Sequence, residues 1–311
     1  MSQVDVSPVT GSARHRHRWN SVGARSTRTA WLFMTPSIVV LAGFMVYPIL
    51  RSIYLSFTNF NVFQPPKWTG LANYAKLIHD GMFWNALKNT AEYAIIVAPI
   101  TVVLAVALAI LLNQKLMARG FTRTAIFLPF IVSMGIVSFA WLFMLDPTIG
   151  FIPYWLGKLG IPTAQGWLSS PKYAMPAIIV VGIWKQVGFY MVMFLAGLQS
   201  IPEELYEAAK LEGAGRWKTF TNVTWPLLSN QTMLVMIMAT VASIQVFDQI
   251  YIMTQGGPAF ATETMVSMLY RVGFQSLNFG YASAVSWALM LVVFVLSILQ
   301  YGYFNRRQVA F

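Results

Sequence analysis

Residues 203–226 read EELYEAAKLEGAGRWKTFTNVTWP, with four carboxylates and three basic side chains. On either side lie segments 174–198 and 227–254, both strongly apolar. A helix needs about 20 apolar residues to cross a hydrocarbon core of roughly 30 Å, and both flanks are long enough. Charge this dense has no packing role between two membrane spans, so the loop must face water or another protein. The stretch therefore reads as an exposed hairpin of a multi-pass helical membrane protein.

The rest of the chain agrees. Of its 311 residues, 57% are apolar and 10% charged, against roughly 45–50% and about 25% in soluble domains. The bilayer must be the solvent, and the fold class is all-α with six transmembrane helices. The spans are expected at 30–56, 90–112, 121–145, 174–198, 227–254 and 281–304. Pro36, Pro48, Pro99, Pro129 and Pro176 fall inside them; neighbouring helices can satisfy the carbonyls that proline frees. The first span follows an Arg-rich segment, as a signal peptide would. It is too long for such a peptide and lacks a small-x-small cleavage site, so it reads as retained. Around the membrane domain, 30–304, lie a basic tail at 1–29, expected to be partly disordered, and a short tail at 305–311. Loops 58–89 and 146–173 can hold short interfacial helices, with Trp68, Trp84, Trp155 and Trp167 at headgroup level.

Basic residues set the orientation. Thirteen of the 21 Lys and Arg fall on one side: five in the N-terminal tail, then Lys115, Arg119, Arg123, Lys210, Arg216, Lys218, Arg306 and Arg307. The opposite loops hold six, Lys67, Lys76, Lys88, Lys158, Lys172 and Arg271. The positive-inside rule then puts both termini and the charged loop in the cytoplasm. The net charge of +11 is thus topological, and no nucleic-acid partner is expected.

Several chemistries are excluded. With no cysteine, the chain has no disulfide, thiolate metal site or cysteine nucleophile. His15, His17 and His79 sit in the tail and one loop without ligand spacing, so no metal site is expected. The string from Gly213 to Lys218 and Thr219 echoes a phosphate-binding loop. Trp217 stands where such a loop needs glycine, and no strand precedes it. No catalytic set appears elsewhere, and the chain reads as a non-enzyme with no cofactor of its own.

Within loop 200–226, Ser200 can cap a helix over 202–212 and Pro202 suits its first turn. Glu203 and Glu204 lie where the helix dipole favours anions, Lys210 lies near the other end, and Gly213 can close it. A second helix starts near Gly215, with Trp217, Phe220 and Val223 on one face, and Pro226 ends it. These features fit equally an interfacial helix pair with a solvated face and a docking element.

A resemblance separates the two. Glu207-Ala208-Ala209, then Gly213, Val223, Trp225 and Pro226, resembles the EAA loop of membrane subunits of bacterial ATP-binding-cassette importers. Val223 and Trp225 replace the usual isoleucine and leucine, and Glu212-Gly213-Ala214 replaces Asp-Gly-Ala; both departures are conservative. Phe247-Asp248, Met253 to Pro258, Thr262-Glu263 and Tyr270 resemble the fifth-loop block of carbohydrate permeases, and Tyr47-Pro48 with Gly70 to Tyr74 is similar to their first loop. From about residue 30 onward the chain resembles the maltose and glycerol-3-phosphate permease type.

That resemblance implies the type I importer permease fold and a bacterial inner (plasma) membrane location. It implies a carbohydrate substrate (oligosaccharide, polyol or sugar phosphate) and three kinds of partner. These are two ATPase subunits that bind the ATP and Mg, a second homologous permease forming a heterodimer, and an extracytoplasmic solute-binding protein. It assigns ATPase coupling to Glu207, Ala208, Ala209, Gly213, Arg216 and Pro226.

Charges at membrane depth cost about 2.5–3.5 kcal/mol on insertion scales and so mark function or a partner. Lys185 and Asp248 are the leading candidates for the permeation path, with Trp184, Gln245 and Gln249 beside them. Their depths differ by roughly 10 Å at 1.5 Å per residue, so a direct pair needs the lysine to extend; bridging polar groups or interhelical hydrogen bonding are the other readings. The competing functions are an ion-coupled secondary transporter, which should show buried acidic relays, a membrane scaffold, and an importer of a non-sugar solute.

Overall fold

The computed structural model describes residues 19–114, 118–160 and 166–305. Lys115, Arg306, Arg307 and the tail ahead of Trp19, whose charges enter the topology argument, lie outside these residues. The chain forms two units, Met1–Tyr54 and Leu55–Phe311.

In its described residues the first unit is a long helix. It runs through α1 (Trp19–Leu41), a π-turn (Ala42–Val46) and the first residues of α2 (Tyr47–Ser56). Helix begins at Trp19 rather than Ala30, so the end of the expected tail is helical. The π-turn has a readable cause. Pro48 offers no N–H to the Phe44 carbonyl and its ring crowds that group, and a widened turn relieves both problems. The same offset recurs in the second unit, where the π-turn Phe220–Thr224 precedes Pro226.

The second unit starts with loop 57–70, closed by an isolated bridge between Thr58 and Trp68. Next come α3 (Ala72–His79), α4 (Gly81–Asn113), α5 (Arg119–Ile131), α6 (Met134–Met144), α7 (Phe151–Lys158) and α8 (Ala174–Gln199). The charged hairpin contains α9 (Glu203–Leu211), α10 (Arg216–Thr219) and α11 (Trp225–Leu227). Then follow α12 (Ser229–Ile244), α13 (Asp248–Met253), α14 (Met265–Tyr270) and α15 (Phe279–Asn305).

Among the described residues five helices are long and apolar enough to cross a membrane, and a bent helix pair brings the number to six when counted as one span. That pair shows that the span expected at 121–145 is two helices rather than one: α5 and α6 meet at 97°. Val132 and Ser133 are extended (ψ 138° and 137°), and Pro129 denies the Ala125 carbonyl its helical donor just before the break. The span expected at 90–112 starts earlier, at Gly81, because the Asp80 carboxylate accepts from the Met82 N–H at 2.9 Å. The Tyr281 hydroxyl donates to the same carboxylate at 2.6 Å, tying this cap to α15.

The core is built on α4 and α8. Ala98, Val102, Ala105, Ala109 and Leu112 recur every three or four residues along α4. They pack on Tyr190, Met191, Phe194, Leu195 and Leu198 of α8, with Leu228, Val235 and Ala239 closing the third side. Lipid gives helices no hydrophobic reason to associate, so small residues that allow close dispersion contact decide which faces meet. Gly188 serves α5 in the same way: a Cβ there would lie 2.1 Å from the Ile126 carbonyl oxygen.

Candidate functional site

Two regions hold the candidate residues. In the first, α9 is stabilised by its own sequence. Glu203 and Glu204 occupy the first turn and Lys210 the last, as the dipole favours. Gly213 adopts φ +74°. The Ala214 N–H donates to the Ala209 carbonyl at 2.9 Å and the Gly213 N–H to that of Lys210 at 3.0 Å, a Schellman closure that needs a left-handed residue. One expectation is corrected. Ser200 does not cap α9, since its hydroxyl turns back to the Gly197 carbonyl at 2.8 Å, and Pro202 takes the cap position without a side-chain bond.

The faces of α9 are distinct. Tyr206 and Ala209 turn inward, and the Tyr206 hydroxyl lies 3.3 Å from Thr224 Oγ1. Glu204, Glu207, Ala208 and Leu211 point outward, Leu211 being 90% exposed. The structure therefore divides the alanine pair, with Ala209 packing the hairpin and Ala208 on the free face. Among the described residues Glu207 forms no ion pair, and Arg216 is exposed at the start of α10. Arg216, Lys210 and Tyr206 line a cavity of about 420 Å³ with Asn113 and Gln114 at the end of α4.

Pro226 does not end the second helix, as the sequence suggested. Helical backbone continues through it because the π-turn absorbs the missing hydrogen bond. That extra residue also shifts the face. Trp217, Phe220 and Trp225, rather than Val223, line an apolar groove of about 580 Å³ against Val102, Val106 and Ile110 of α4.

The second region is the fifth span, expected as one helix over 227–254. It breaks at 245–247, where Phe247 has φ −140° and ψ −63°. Gln245 and Asp248 are exposed at the break, and Asp248 opens α13, where a carboxylate meets the positive end of the helix. Gln249 is 2% exposed. Its Nε2 donates to the Tyr93 hydroxyl of α4, and its Oε1 has no protein partner among the described residues.

Lys185 and Asp248 do not meet. Instead the buried Lys185 ammonium donates to the Phe130 carbonyl at 2.7 Å and sits 5.2 Å from the Phe130 ring centroid. Phe130 is in the last turn of α5, where carbonyls lack helical donors and a cation suits the dipole. Its neighbour Trp184 packs edge-on to Trp141 of α6, with centroids 5.5 Å apart. These two α8 residues thus brace both halves of the bent span.

Sequence reasoning missed the strongest electrostatic contact here. Glu263, 3% exposed, accepts both Arg271 Nε at 2.7 Å and an Arg271 Nη at 3.1 Å. Asn89 of α4 donates to the carbonyls of Glu263 and Phe260, each at 3.0 Å, and Asn85 donates to that of Phe260 at 2.8 Å. Thr90 Oγ1 accepts the Met265 N–H at 2.9 Å, and Thr264 and Ser267 form a capping box on α14. The only local signal was a hydroxyl three residues after Thr264; nothing in the pattern linked 263 to 271 or to 89.

Among the described residues the fold is a multi-pass helical bundle with a bent α5–α6 pair, a broken fifth span and an exposed charged hairpin. The chain belongs to the family described as binding-protein-dependent transport system inner membrane component, whose pattern matches residues 101–309. It is 38% identical to a lactose transport system permease protein of Rhizobium radiobacter, over 87% of this chain and 92% of that protein. It is 33% identical to an sn-glycerol-3-phosphate transport system permease protein of Agrobacterium fabrum, over 89% and 94%. It is 31% identical to a trehalose/maltose transport system permease protein of Thermococcus litoralis, over 90% and 96%. The fold matches a chain from the crystal structure of a bacterial ABC transporter involved in alginate import, with TM-score 0.81 at 23% identity over 92% of this chain and 99% of that one. The architecture is that of a type I ABC importer permease.

Proposed function

We propose that this chain is the membrane-spanning subunit of an ATP-driven importer of carbohydrate in a bacterial plasma membrane. Alternating access here is driven by ATP hydrolysis in two partner ATPase subunits. A second, homologous permease completes the pathway, and an extracytoplasmic solute-binding protein delivers cargo. The excess of basic residues around the hairpin supports a cytoplasmic position for it and for both termini.

The observation that carries the reading is α9. It is a dipole-matched helix closed by Gly213, whose outward face presents Glu207, Ala208 and Leu211 with no ion pair to Glu207 among the described residues. Such a rod transmits displacement better than a loose loop, and a switch needs a body whose contacts differ between two states. Glu207 would pair with a basic residue of the ATPase, Ala208 would allow close approach, and Gly213 with Arg216 and Pro226 would fix the angle of the following segment. Lys185 and Trp184 act on the path by holding the bend of α5 and α6, while Gln245, Asp248 and Gln249 form the break through which cargo passes. Sugar as cargo is supported by the lactose, glycerol-3-phosphate and trehalose/maltose relatives.

Uptake into proteoliposomes tests this function. The complete complex should accumulate labelled disaccharide only with internal ATP and external binding protein. Accumulation by this chain alone under an ion gradient would overturn it in favour of secondary transport.

A further inference from the structure

The rings beyond the break of the fifth span are continuous. Phe247 stacks on Tyr251 at 5.4 Å and touches Tyr270 at 5.3 Å; Tyr251 meets Tyr270 edge-on at 5.0 Å. Tyr270 stacks on Phe274 at 5.5 Å, Phe274 meets Phe279 at 5.6 Å, and Phe279 meets Phe60 of the first loop at 6.0 Å. Six rings, each within van der Waals reach of the next, thus run from the break at Phe247 to the loop between the first two spans.

Two features make this more than core packing. Tyr251 is 37% exposed and Phe274 59%, whereas the residues beneath them, Ile250, Met268 and Val272, are buried. Polar groups also stand among the exposed rings: Gln245 and Asp248 at one end, Gln275 and Ser276 beside Phe274. Asp248 and Tyr251, three residues apart, share the open face of α13. Lipid does not suit such a face, since a carboxylate at membrane depth costs several kcal/mol. A flat ring beside hydrogen-bonding side chains suits a pyranose, which has an apolar C–H face and a rim of hydroxyls.

We propose that this aromatic run, above all Tyr251 and Phe274, is a stacking track along which saccharide rings pass from the outer loops to the break at Phe247. The inference rests on the carbohydrate reading and goes beyond it by naming where the cargo slides. The two exposed rings, Tyr251 with Asp248 beside it and Phe274 with Gln275 and Ser276, offer two successive sites, and the packed rings between them hold these in place.

The test uses the assembled complex in proteoliposomes with loaded binding protein. The probe is whichever of labelled lactose, maltose or trehalose the wild type carries, or, failing these, the labelled saccharide, polyol or sugar phosphate that it does carry. Tyr251→Leu and Phe274→Leu, which keep apolar bulk but lose the ring, should each lower uptake about threefold, and about tenfold together. Phe274→Trp should restore it, with complex assembly and basal ATPase activity unchanged throughout. Wild-type uptake by the double leucine variant would overturn the track while leaving the carbohydrate reading intact. Failure of that variant to assemble would also overturn it, by making these rings an interface with a partner subunit. A wild-type complex that carries no labelled saccharide, polyol or sugar phosphate removes the carbohydrate reading and the track with it, whereas one that carries only an acyclic polyol or its phosphate overturns the track alone.

Discussion

The charged hairpin and the broken fifth span contrast in how they are held. In the hairpin, α9 relies on neighbours in sequence: glutamates in its first turn, a lysine in its last, a glycine just beyond. Its outward face is exposed among the described residues. Around the break, Gln249 reaches Tyr93, Lys185 reaches Phe130, and Asn89 reaches the Glu263 carbonyl, all across long sequence separations. A locally stabilised helix can be moved as a unit without disturbing the bundle. A region held by distant polar contacts can change only when several helices move together. Substitutions near the break should therefore cost stability, and those on the hairpin should cost coupling.

The most damaging substitution should be Arg271→Met. It leaves the Glu263 carboxylate buried and unpaired, a situation that costs about 3–5 kcal/mol. Thermal unfolding of the purified complex should show a clear loss, and adding Glu263→Gln should restore most of it. Were the single variant as stable as wild type, the idea of a region knit together by long-range polar contacts would be wrong.

Lys185→Met should be next. It removes a charge-assisted bond to a helix-end carbonyl, worth about 1.5–3 kcal/mol, and loosens the bend between α5 and α6. Cysteine pairs across the bend, at the exposed positions 128 and 143, can report this. Wider distance distributions by spin-label spectroscopy are expected, and an unchanged distribution would remove the bracing role.

On the hairpin, Gly213→Ala places a side chain at φ +74°, a strain of about 1–2 kcal/mol. Because the strain falls in a surface turn, membrane insertion and bundle stability should survive while ATP-dependent uptake drops. Equal losses of stability and uptake would erase the contrast. The mildest change should be Tyr206→Phe, which removes one long contact to Thr224 Oγ1 and about 0.5–1 kcal/mol. Only the amplitude of coupling should shift, measured as stimulation of ATPase activity by loaded binding protein.

The same contrast explains what was legible beforehand. Dipole-matched charges and a closing glycine act within one helix, so the course of α9 could be read from its residues. Lys185 was visible as an expensive charge, but its partner is the Phe130 carbonyl, freed only because α5 stops at Ile131. No apolar pattern announces that stop, and the segment looked like one span. Pro226 was read as a terminator because proline usually is one; the π-turn ahead of it let the helix continue. Glu263 and Arg271 were seen as motif and loop charge, since side-chain pairing across a folded loop leaves no periodic trace.

The chain contains no cysteine, so a single one can be placed on α9 without background. With Leu211→Cys or Ala208→Cys in the full complex in intact cells, a short bifunctional reagent should capture the ATPase subunit, with a yield that changes when ATP is depleted. Val103→Cys, on the exposed face of α4, should not capture it. Absence of the ATPase from every α9 adduct, under conditions where α9 cysteines react with the reagent, would contradict the account of a helix moved by a separate motor.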